Sequence, residues 1–388
     1  MGCVSAFGKN VEELFDTFEQ NTDIFENKKI TFRDEIFPQI GISKSINDTY
    51  FKKFIDPSKL RRLDRVTKLA LSSARQAILN SNTKITQENC ERIGIIYGTS
   101  TGPISTIKKI SEQIIKNGIG SLEPTLFPNS VLNAAPRQIS IANNIKGVNS
   151  TIVSGNTSFM NAFIYATVLL KNNQADQIIV VCSDEWDETN SAAYGKLDML
   201  SKEKGLPFTK NSNGLLLTEG SVAIMLERKE YANSRKANML ADVLGYFSKS
   251  SNPGLCNLEN NSQSLKAEFN NILADCNYEI EYYASTSSFG KITDIQDLEL
   301  LNTSLKNAVV RSVPRVVGMP FSATSGLAIL SCLYAMSENN LPNMGGYLDV
   351  DDIYKPLFSR KVSSDIRGSA TVAYSHGGAY AGVVLGKV

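Results

Sequence analysis

The chain has 388 residues, 42% of them hydrophobic and 20% charged, and this length predicts more than one hydrophobic core. Its 40 basic and 39 acidic residues leave a net charge of +1, which supplies no basic field to hold nucleic acid or an anionic membrane. No apolar run approaches the roughly 18–20 residues that cross a bilayer. We therefore expect no nucleic-acid partner and no membrane insertion.

Short apolar strands alternate with helical patterns along the first part of the chain. Residues 92–98 predict a strand that ends in glycine, and residues 104–118 carry isoleucines at helical spacing. Residues 157–172 predict a helix that is apolar almost all round and should be buried on every side. Residues 177–185 predict the next buried strand. This alternation is typical of βαβ units and a largely parallel sheet.

The same kind of pattern restarts after residue 233, which suggests a structural duplication. The later elements are two strands, an apolar helix and a final strand, at residues 239–247, 282–288, 321–339 and 379–388. We therefore predict an N-terminal half at 1–233 and a C-terminal half at 234–388.

Histidine occurs once, at His376, so any mechanism that requires two histidines is excluded. Zinc sites of the H-E-x-x-H kind are excluded for the same reason, and the six cysteines form no C-x-x-C pair. The scattered cysteines are most simply reduced thiols, which predicts a cytoplasmic protein without a metal site. An acidic stretch at 184–188 could hold a hard cation, but a solvated loop is the simpler interpretation.

Residues 98–102, GTSTG, match the G-x-S-x-G pattern of a hydrolase nucleophile elbow between a predicted strand and a predicted helix. Ser100 would be the nucleophile and His376 its base. The pattern is short and common, so a tight loop that merely leaves the strand is the favoured interpretation. A serine hydrolase is kept as an alternative function.

The stretch STIVSGNTSFMNAF at 150–163 predicts a strand that turns sharply into a helix, with Asn156 at the tip of the turn. A thiol at such a helix N-terminus would have a lowered pKa and would act as a nucleophile. The amide of Asn156 cannot do so, whereas asparagine is among the best helix N-caps. The residue is therefore interpreted as a cap.

Several segments, taken in order, resemble the β-ketoacyl-acyl-carrier-protein synthases, which have the thiolase-like fold. The segments that carry the resemblance are residues 61–78, 126–155, 208–246, 337–343 and 374–385. The resemblance covers nearly the whole chain. It implies an α/β protein in which two duplicated βαβ-type halves form a layered αβαβα arrangement.

The family works with a cysteine nucleophile and two histidines, and the resemblance places other residues at all three positions. Asn156 falls at the cysteine, Ser285 at the first histidine, with Thr286 as the alternative one residue on, and Met319 at the second histidine. A small glycine that follows the nucleophile is replaced by Phe159. Losing the nucleophile typically costs several powers of ten in rate, and losing both imidazoles removes proton transfer and oxyanion donors. We expect no catalytic residues here, and we therefore expect that the chain does not condense acyl groups alone.

Without the catalytic groups, the features of the family that the resemblance still implies are the fold and its dimer surface. A synthase-like subunit without catalytic groups is similar to a chain-length factor, which pairs with an active ketosynthase as a heterodimer and shapes the acyl tunnel during fatty-acid or polyketide elongation. The most similar kind is the subunit of bacterial aryl-polyene clusters. No cofactor is expected beyond the phosphopantetheine-linked acyl chain that a partner acyl carrier protein brings.

The resemblance also indicates which residues could shape the tunnel or the interface. Leu122, Leu126 and Phe127 precede the active-site strand at the family's dimer interface, Phe159 could fill the vacated pocket, and His376 falls at the phenylalanine of the gating loop. The alternative functions are the serine hydrolase and an acyl-binding regulatory protein that works alone.

Overall fold

The computed structural model describes most of the chain, including both predicted halves. The described residues are 1–20, 25–32, 35–42, 46–201, 206–212, 214–251, 261–276, 279–288, 290–344, 349–360 and 365–388. Within them, no helix is both long and apolar enough to cross a membrane.

Twelve strands are described. In chain order they are β1 (Gly2–Ser5), β2 (Phe25–Phe32), β3 (Glu35–Ile42), β4 (Ile93–Gly98), β5 (Asn149–Ile152), β6 (Gln177–Asp184), β7 (Gly220–Glu227), β8 (Asp242–Ser250), β9 (Tyr282–Ser285), β10 (Val309–Ser312), β11 (Gly368–Tyr374) and β12 (Ala379–Gly386).

The α-helices lie mostly between these strands. They are α1 (Val11–Glu19), α2 (Asp48–Phe51), α3 (Pro57–Leu60), α4 (Arg65–Asn80), α5 (Ile104–Asn117), α6 (Ala134–Asn143), α7 (Ser158–Lys171), α8 (Glu188–Lys196), α9 (Lys229–Ser234), α10 (Ser262–Ala274), α11 (Lys291–Thr303), α12 (Pro314–Val317), α13 (Ala323–Glu338) and α14 (Lys355–Phe358).

Two five-stranded sheets and one hairpin organise these strands. The first sheet has the order β1-β7-β6-β4-β5, and the second has the order β10-β9-β11-β12-β8. In the first sheet β4 runs parallel to both β5 and β6, whereas β7 is antiparallel to its neighbours. In the second sheet β9 is parallel to β10 and β11, and β12 is antiparallel to β11 and β8. Both sheets are therefore mixed. In each sheet, the three neighbouring strands at one edge are parallel to one another, and the other strands join in antiparallel pairs.

The layers follow from which helices bury their apolar residues against which sheet. Helices α7 and α13 pack between the two sheets, where residues such as Phe163 and Leu330 join a core with Cys182 and Val383. Helix α4 covers the outer face of the first sheet, and α10 and α11 contribute buried leucines and Phe269 to the outer face of the second. The layered αβαβα arrangement is confirmed.

Most of the elements predicted from the sequence lie within two residues of their predicted bounds, whereas β8 begins three residues later and β9 ends three residues earlier than predicted. Strands β4 and β6 and helices α5 and α13 are where the periodicity placed them. Helix α7 is not buried on every side, because the Tyr165 side chain is 39% exposed. The β2–β3 hairpin was not predicted. The strands of the first sheet end at Glu227 and those of the second begin at Asp242, while a boundary at residue 233 stays a prediction.

Candidate functional site

The turn between β5 and α7 depends on Gly155. Its φ is +63°, and a Cβ added there would lie 2.2 Å from the hydroxyl oxygen of Ser375. The N-cap of α7 is Thr157, one residue beyond Asn156. The prediction that Asn156 caps the helix is therefore wrong, and its side chain is available for other contacts.

Asn156 is 4% exposed and is held by contacts from three distant parts of the chain. Its backbone N–H donates to the hydroxyl oxygen of Ser375 at 3.1 Å, and its side-chain Nδ2 donates to the Sδ of Met319 at 3.2 Å. The hydroxyl of Ser100 donates to the Asn156 Oδ1 at 3.5 Å. The structure thus brings together Asn156 and Met319, two of the three positions that the resemblance assigned to catalytic groups.

The other side of Met319 is apolar. Its backbone N–H donates to the Leu216 carbonyl at 2.7 Å, and its own carbonyl accepts from Thr218 at 3.2 Å, so the backbone is held as a short parallel bridge. The side chain belongs to a buried cluster made of Leu200, Leu215, Leu217, Met319 and Phe321. A thioether is a weak acceptor and carries no titratable proton. Met319 therefore contributes packing, at the position where the resemblance places the second histidine.

Ser285, at the end of β9, has its hydroxyl engaged with a buried carboxylate. It donates to Oδ2 of Asp297, and the hydroxyl of Thr286 donates to the Val372 carbonyl at 2.6 Å. These hydrogen bonds run to α11 and β11. The resemblance offers either residue for the position of the first histidine. In both cases the hydroxyl has a structural partner, on α11 for Ser285 and on β11 for Thr286.

Two buried acidic residues on α11, which the sequence analysis did not single out, organise this region. Asp297 accepts hydrogen bonds from the hydroxyls of Tyr283 and Tyr374, each at 2.7 Å, and Asp294 accepts from the backbone N–H of Phe208 at 2.9 Å. Burial raises the pKa of both carboxyls to about 6. Their i, i+3 spacing on a helix was the available signal, but the sequence alone did not reveal that this face is buried.

These carboxyls make stability depend on pH. Because the folded-state pKa of Asp297 lies near 6 and its ordinary value is 3.8, the folded protein holds the proton more tightly, and stability falls as pH rises from about 4 to about 6. We expect the change in the free energy of unfolding from this carboxyl to be about 3 kcal/mol. Chemical denaturation across this pH range measures it. Asp297→Asn should flatten the dependence, whereas the exposed control Asp352→Asn should not; equal slopes in both variants would contradict the prediction.

The GTSTG loop is held by Asp184 at the end of β6. One carboxylate oxygen of Asp184 accepts from the backbone N–H groups of Ser100 and Thr101, each at 2.9 Å, and from the Thr99 hydroxyl at 2.9 Å. The other accepts from the backbone N–H of Ser322 at 3.0 Å and from its hydroxyl. The loop therefore has a structural function, which is the interpretation the sequence favoured over a nucleophile elbow.

The acidic stretch at 184–188 is not simply a solvated loop. Asp184 and Glu185 are 0% and 1% exposed, and Glu185 accepts hydrogen bonds from the backbone and hydroxyl of Ser105. Burial raises the pKa of Glu185 to about 7. Within the described ranges, no three histidine, cysteine or acidic residues come together as a set of metal ligands.

His376 lies in the loop that joins β11 to β12. The centre of its ring is 5.5 Å from that of Tyr194. Burial lowers the pKa of His376 to about 4, so the imidazole is neutral at pH 7. The Ser100 hydroxyl donates its hydrogen bond to Asn156. This contact gives no support to a serine hydrolase in which His376 acts as the base for Ser100.

The family described as "Beta-ketoacyl synthase, N-terminal domain" matches residues 1–232. The chain belongs to the β-ketoacyl synthase family. Its relatives include the 3-oxoacyl-[acyl-carrier-protein] synthase 2 of Coxiella burnetii, which is 23% identical over 409 residues, covering 100% of this chain and 97% of that protein.

Solved structures share the fold over the full chain. The ishigamide ketosynthase/chain length factor superposes with a TM-score of 0.84 at 18% identity, covering 100% of this chain and 97% of that one. The ketosynthase ApeO in complex with its chain length factor ApeC, from Xenorhabdus doucetiae, gives a TM-score of 0.79 at 18% identity, covering 100% and 96%. At these low identities the likeness to solved structures shows the fold alone. The predicted thiolase-like fold is confirmed.

The residues predicted to shape a tunnel or interface differ in exposure. Phe127 is 66% exposed, while Leu122 and Leu126 are half-buried beside it. Phe159 is fully buried in the core between the sheets, together with α13 residues. Their roles in a tunnel or at an interface, and the filling of the vacated pocket by Phe159, stay predictions.

Gly155→Ala should destabilise the fold and disturb this site. The added Cβ combines the strain of a φ of +63° with a 2.2 Å contact to the Ser375 oxygen, so we expect a loss of about 2–4 kcal/mol in the free energy of unfolding. Gly377→Ala is the matched control, because φ is +79° there and nothing lies within 4 Å of the added carbon. Chemical denaturation compares the two. If Gly155→Ala lowers the free energy of unfolding no more than Gly377→Ala does, the fold accommodates the added Cβ beside Ser375 and the prediction is wrong.

Proposed function

We propose that this chain is the non-catalytic, chain-length-factor-like partner of an active β-ketoacyl-acyl-carrier-protein synthase. It pairs with that synthase as a heterodimer and shapes the acyl tunnel during fatty-acid or polyketide elongation, with aryl-polyene synthesis as the most similar system. The active subunit supplies the cysteine and histidines, and an acyl carrier protein delivers the acyl chain on its phosphopantetheine arm.

The contact between Asn156 and Met319 carries this proposal. The two residues are far apart in sequence, yet Nδ2 and Sδ lie 3.2 Å apart at the positions where the resemblance places the nucleophile and the second histidine. An amide and a thioether offer neither a nucleophile nor a proton-transfer group. With Asn156 4% and Met319 0% exposed, the two side chains pack against each other as a closed structural contact.

An exposed apolar surface supports the pairing. Phe127 is 66% exposed and Leu132 42%. Among the strands that the structure describes, β5 pairs with β4 alone and so forms an edge of the first sheet. Val153, immediately after β5, is 49% exposed. Large exposed apolar side chains and an unpaired sheet edge are each typical of a surface that a partner covers.

Two of the solved structures with this fold are ketosynthase and chain length factor pairs, and another is a ketosynthase bound to its acyl-carrier protein. These assemblies are properties of those proteins. They show that the fold can accommodate both partners that we propose for this chain.

Co-expression tests the proposal. The tagged chain is produced with candidate β-ketoacyl synthases that have an intact Cys-His-His set, and any complex is sized by light scattering after gel filtration. We expect a one-to-one complex that extends a loaded carrier protein, while the chain alone has no activity. If the two chains do not associate and the isolated chain binds an acyl ligand, the stand-alone acyl-binding function is favoured. Thioester elongation or cleavage by the chain alone would contradict the proposal, and a serine-directed probe at Ser100 would identify a hydrolase.

Phe127→Ala should change the length distribution of the products made by this complex. If the exposed ring limits how far the partner's acyl chain extends, removing it should lengthen the longest products by one or more two-carbon units. Mass spectrometry of the released acyl chains measures this. Ile36→Ala is the matched control, since Ile36 is 62% exposed on the hairpin. An unchanged distribution for Phe127→Ala would remove it from this role.

A further inference from the structure

The hydroxyl oxygen of Ser375 lies against the turn that carries Asn156. Ser375 comes directly after β11 and is 3% exposed, and its Oγ accepts the backbone N–H of Asn156 at 3.1 Å. The two residues are 219 positions apart in the sequence. The second half of the chain therefore supplies this oxygen to a turn of the first half.

A second contact shows how closely this oxygen is seated. Gly155 has a φ of +63°, and a Cβ added there would lie 2.2 Å from the Ser375 Oγ. The oxygen thus meets both the side of Gly155 that lacks a side chain and the N–H group of the next residue. The backbone of Ser375 is also fixed, because its N–H donates to the Ala379 carbonyl at 2.8 Å. Ser375 is therefore held in place against the turn.

The N–H group that Ser375 occupies is one that an acyl-transfer site at this position would use. When a nucleophile attacks a thioester, the carbonyl oxygen becomes an oxyanion. Backbone N–H groups, including that of the nucleophile itself, are common donors to such an oxyanion. The resemblance places the nucleophile at residue 156. An oxyanion there would have to displace the buried Ser375 hydroxyl to reach this donor.

The contact with Ser375 does not depend on which side chain stands at residue 156. The Asn156 side chain has its own partners, because Nδ2 donates to Met319 and Oδ1 accepts from Ser100. Ser375 instead accepts from the backbone N–H, which every residue except proline would present at that position. The missing nucleophile and the occupied N–H group are therefore two separate features of the site.

We infer that Ser375 is a blocking residue, whose hydroxyl oxygen occupies the oxyanion donor of residue 156 and keeps this chain from capturing acyl thioesters even when a thiol is present there. The inference rests on the proposed function, because it takes residue 156 as the vacated nucleophile position. In a complex with an active synthase, the block confines acyl transfer to the partner's cysteine.

The test compares two reactions of a thiol introduced by Asn156→Cys in the full chain. With the acetyl thioester of N-acetylcysteamine, the thiolate forms a bond to the acyl carbon through an oxyanionic intermediate, and the released N-acetylcysteamine thiolate takes up a proton from water. With iodoacetamide, the same thiolate displaces iodide and no oxyanion develops. The ratio of the acylation rate to the alkylation rate therefore reports oxyanion stabilisation separately from the reactivity of the thiol.

Ser375→Ala, added to Asn156→Cys, removes the blocking oxygen and keeps the Cβ. We expect this ratio to rise by at least about tenfold, because one oxyanion donor is typically worth a larger factor than that. Ser100→Ala is the matched control, since it also removes a hydroxyl beside residue 156, but one that contacts the Asn156 side chain. It should leave the ratio unchanged. Intact-mass spectrometry with peptide mapping measures both adducts at residue 156, and circular dichroism verifies folding.

Ser375→Gly replaces Ser375→Ala if the alanine variant does not fold. The inference is overturned if the ratio does not rise in the folded Ser375 variant, or if Ser100→Ala raises it equally. Failure of iodoacetamide to label the introduced thiol in the folded chain also overturns it, because a donor that small reagents cannot approach cannot meet a thioester. Pairing with a synthase is measured separately by co-expression, so failure of this inference is distinguishable from failure of the proposed function.

Discussion

Replacing the nucleophilic cysteine of the partner synthase with alanine should abolish product formation by the complex, whereas Asn156→Ala in this chain should leave turnover within about twofold. Loss of a covalent nucleophile typically lowers the rate by about 10³-fold or more. We expect no such function of Asn156, because an amide is not a nucleophile; its Nδ2 donates to the Met319 thioether and its N–H donates to Ser375. Product release from a loaded carrier protein, followed by mass spectrometry, measures both variants.

Asn156→Cys provides the complementary control. A thiol there would lie at the start of α7, but Met319 and Ser285 supply no imidazole to support decarboxylation. We expect no second active site in the complex and no activity of the variant alone. A drop of 100-fold or more for Asn156→Ala in an intact complex would show instead that the amide takes part in the reaction.

Asp184→Ala should cause the largest loss of stability. The carboxylate is fully buried and accepts from the backbone N–H groups of Ser100, Thr101 and Ser322. Removing it leaves these buried donors without their acceptor, at a cost of about 1–3 kcal/mol for each group, although part is recovered because a buried charge is lost. We expect the free energy of unfolding to fall by about 3–5 kcal/mol. Urea denaturation followed by circular dichroism measures it.

Two further variants test why Asp184 matters. Asp184→Asn keeps one acceptor oxygen, so it should lose less than Asp184→Ala. Asp352→Ala is the matched control, because Asp352 is exposed and forms a local ion pair with Lys355, and we expect it to leave the free energy of unfolding nearly unchanged. Losses of similar size at Asp184 and Asp352 would refute a structural role for the buried carboxylate.

Local sequence patterns were enough to predict several elements of the first half of the chain. The apolar run of β4, the isoleucine spacing of α5 and the apolar length of α7 are properties of neighbouring residues, and the structure places these elements close to their predicted bounds. The motif segments also indicated the family and the layered fold, because they occur in order along the chain. The β2–β3 hairpin was missed, since its alternation of apolar and polar residues is weak.

Only the tertiary structure decided how distant polar residues are used. The acidic stretch at 184–188 has the composition of an exposed loop, yet packing of the start of α13 against the end of β6 buries Asp184 beneath Ser322. The same packing decides which groups meet Asn156. The sequence by itself therefore predicted many of the elements, and it supplied an amide, a hydroxyl and a thioether at the positions that the resemblance assigns to catalytic groups. Burial and hydrogen bonding depend on contacts between residues far apart in the chain, so only the folded structure decided them.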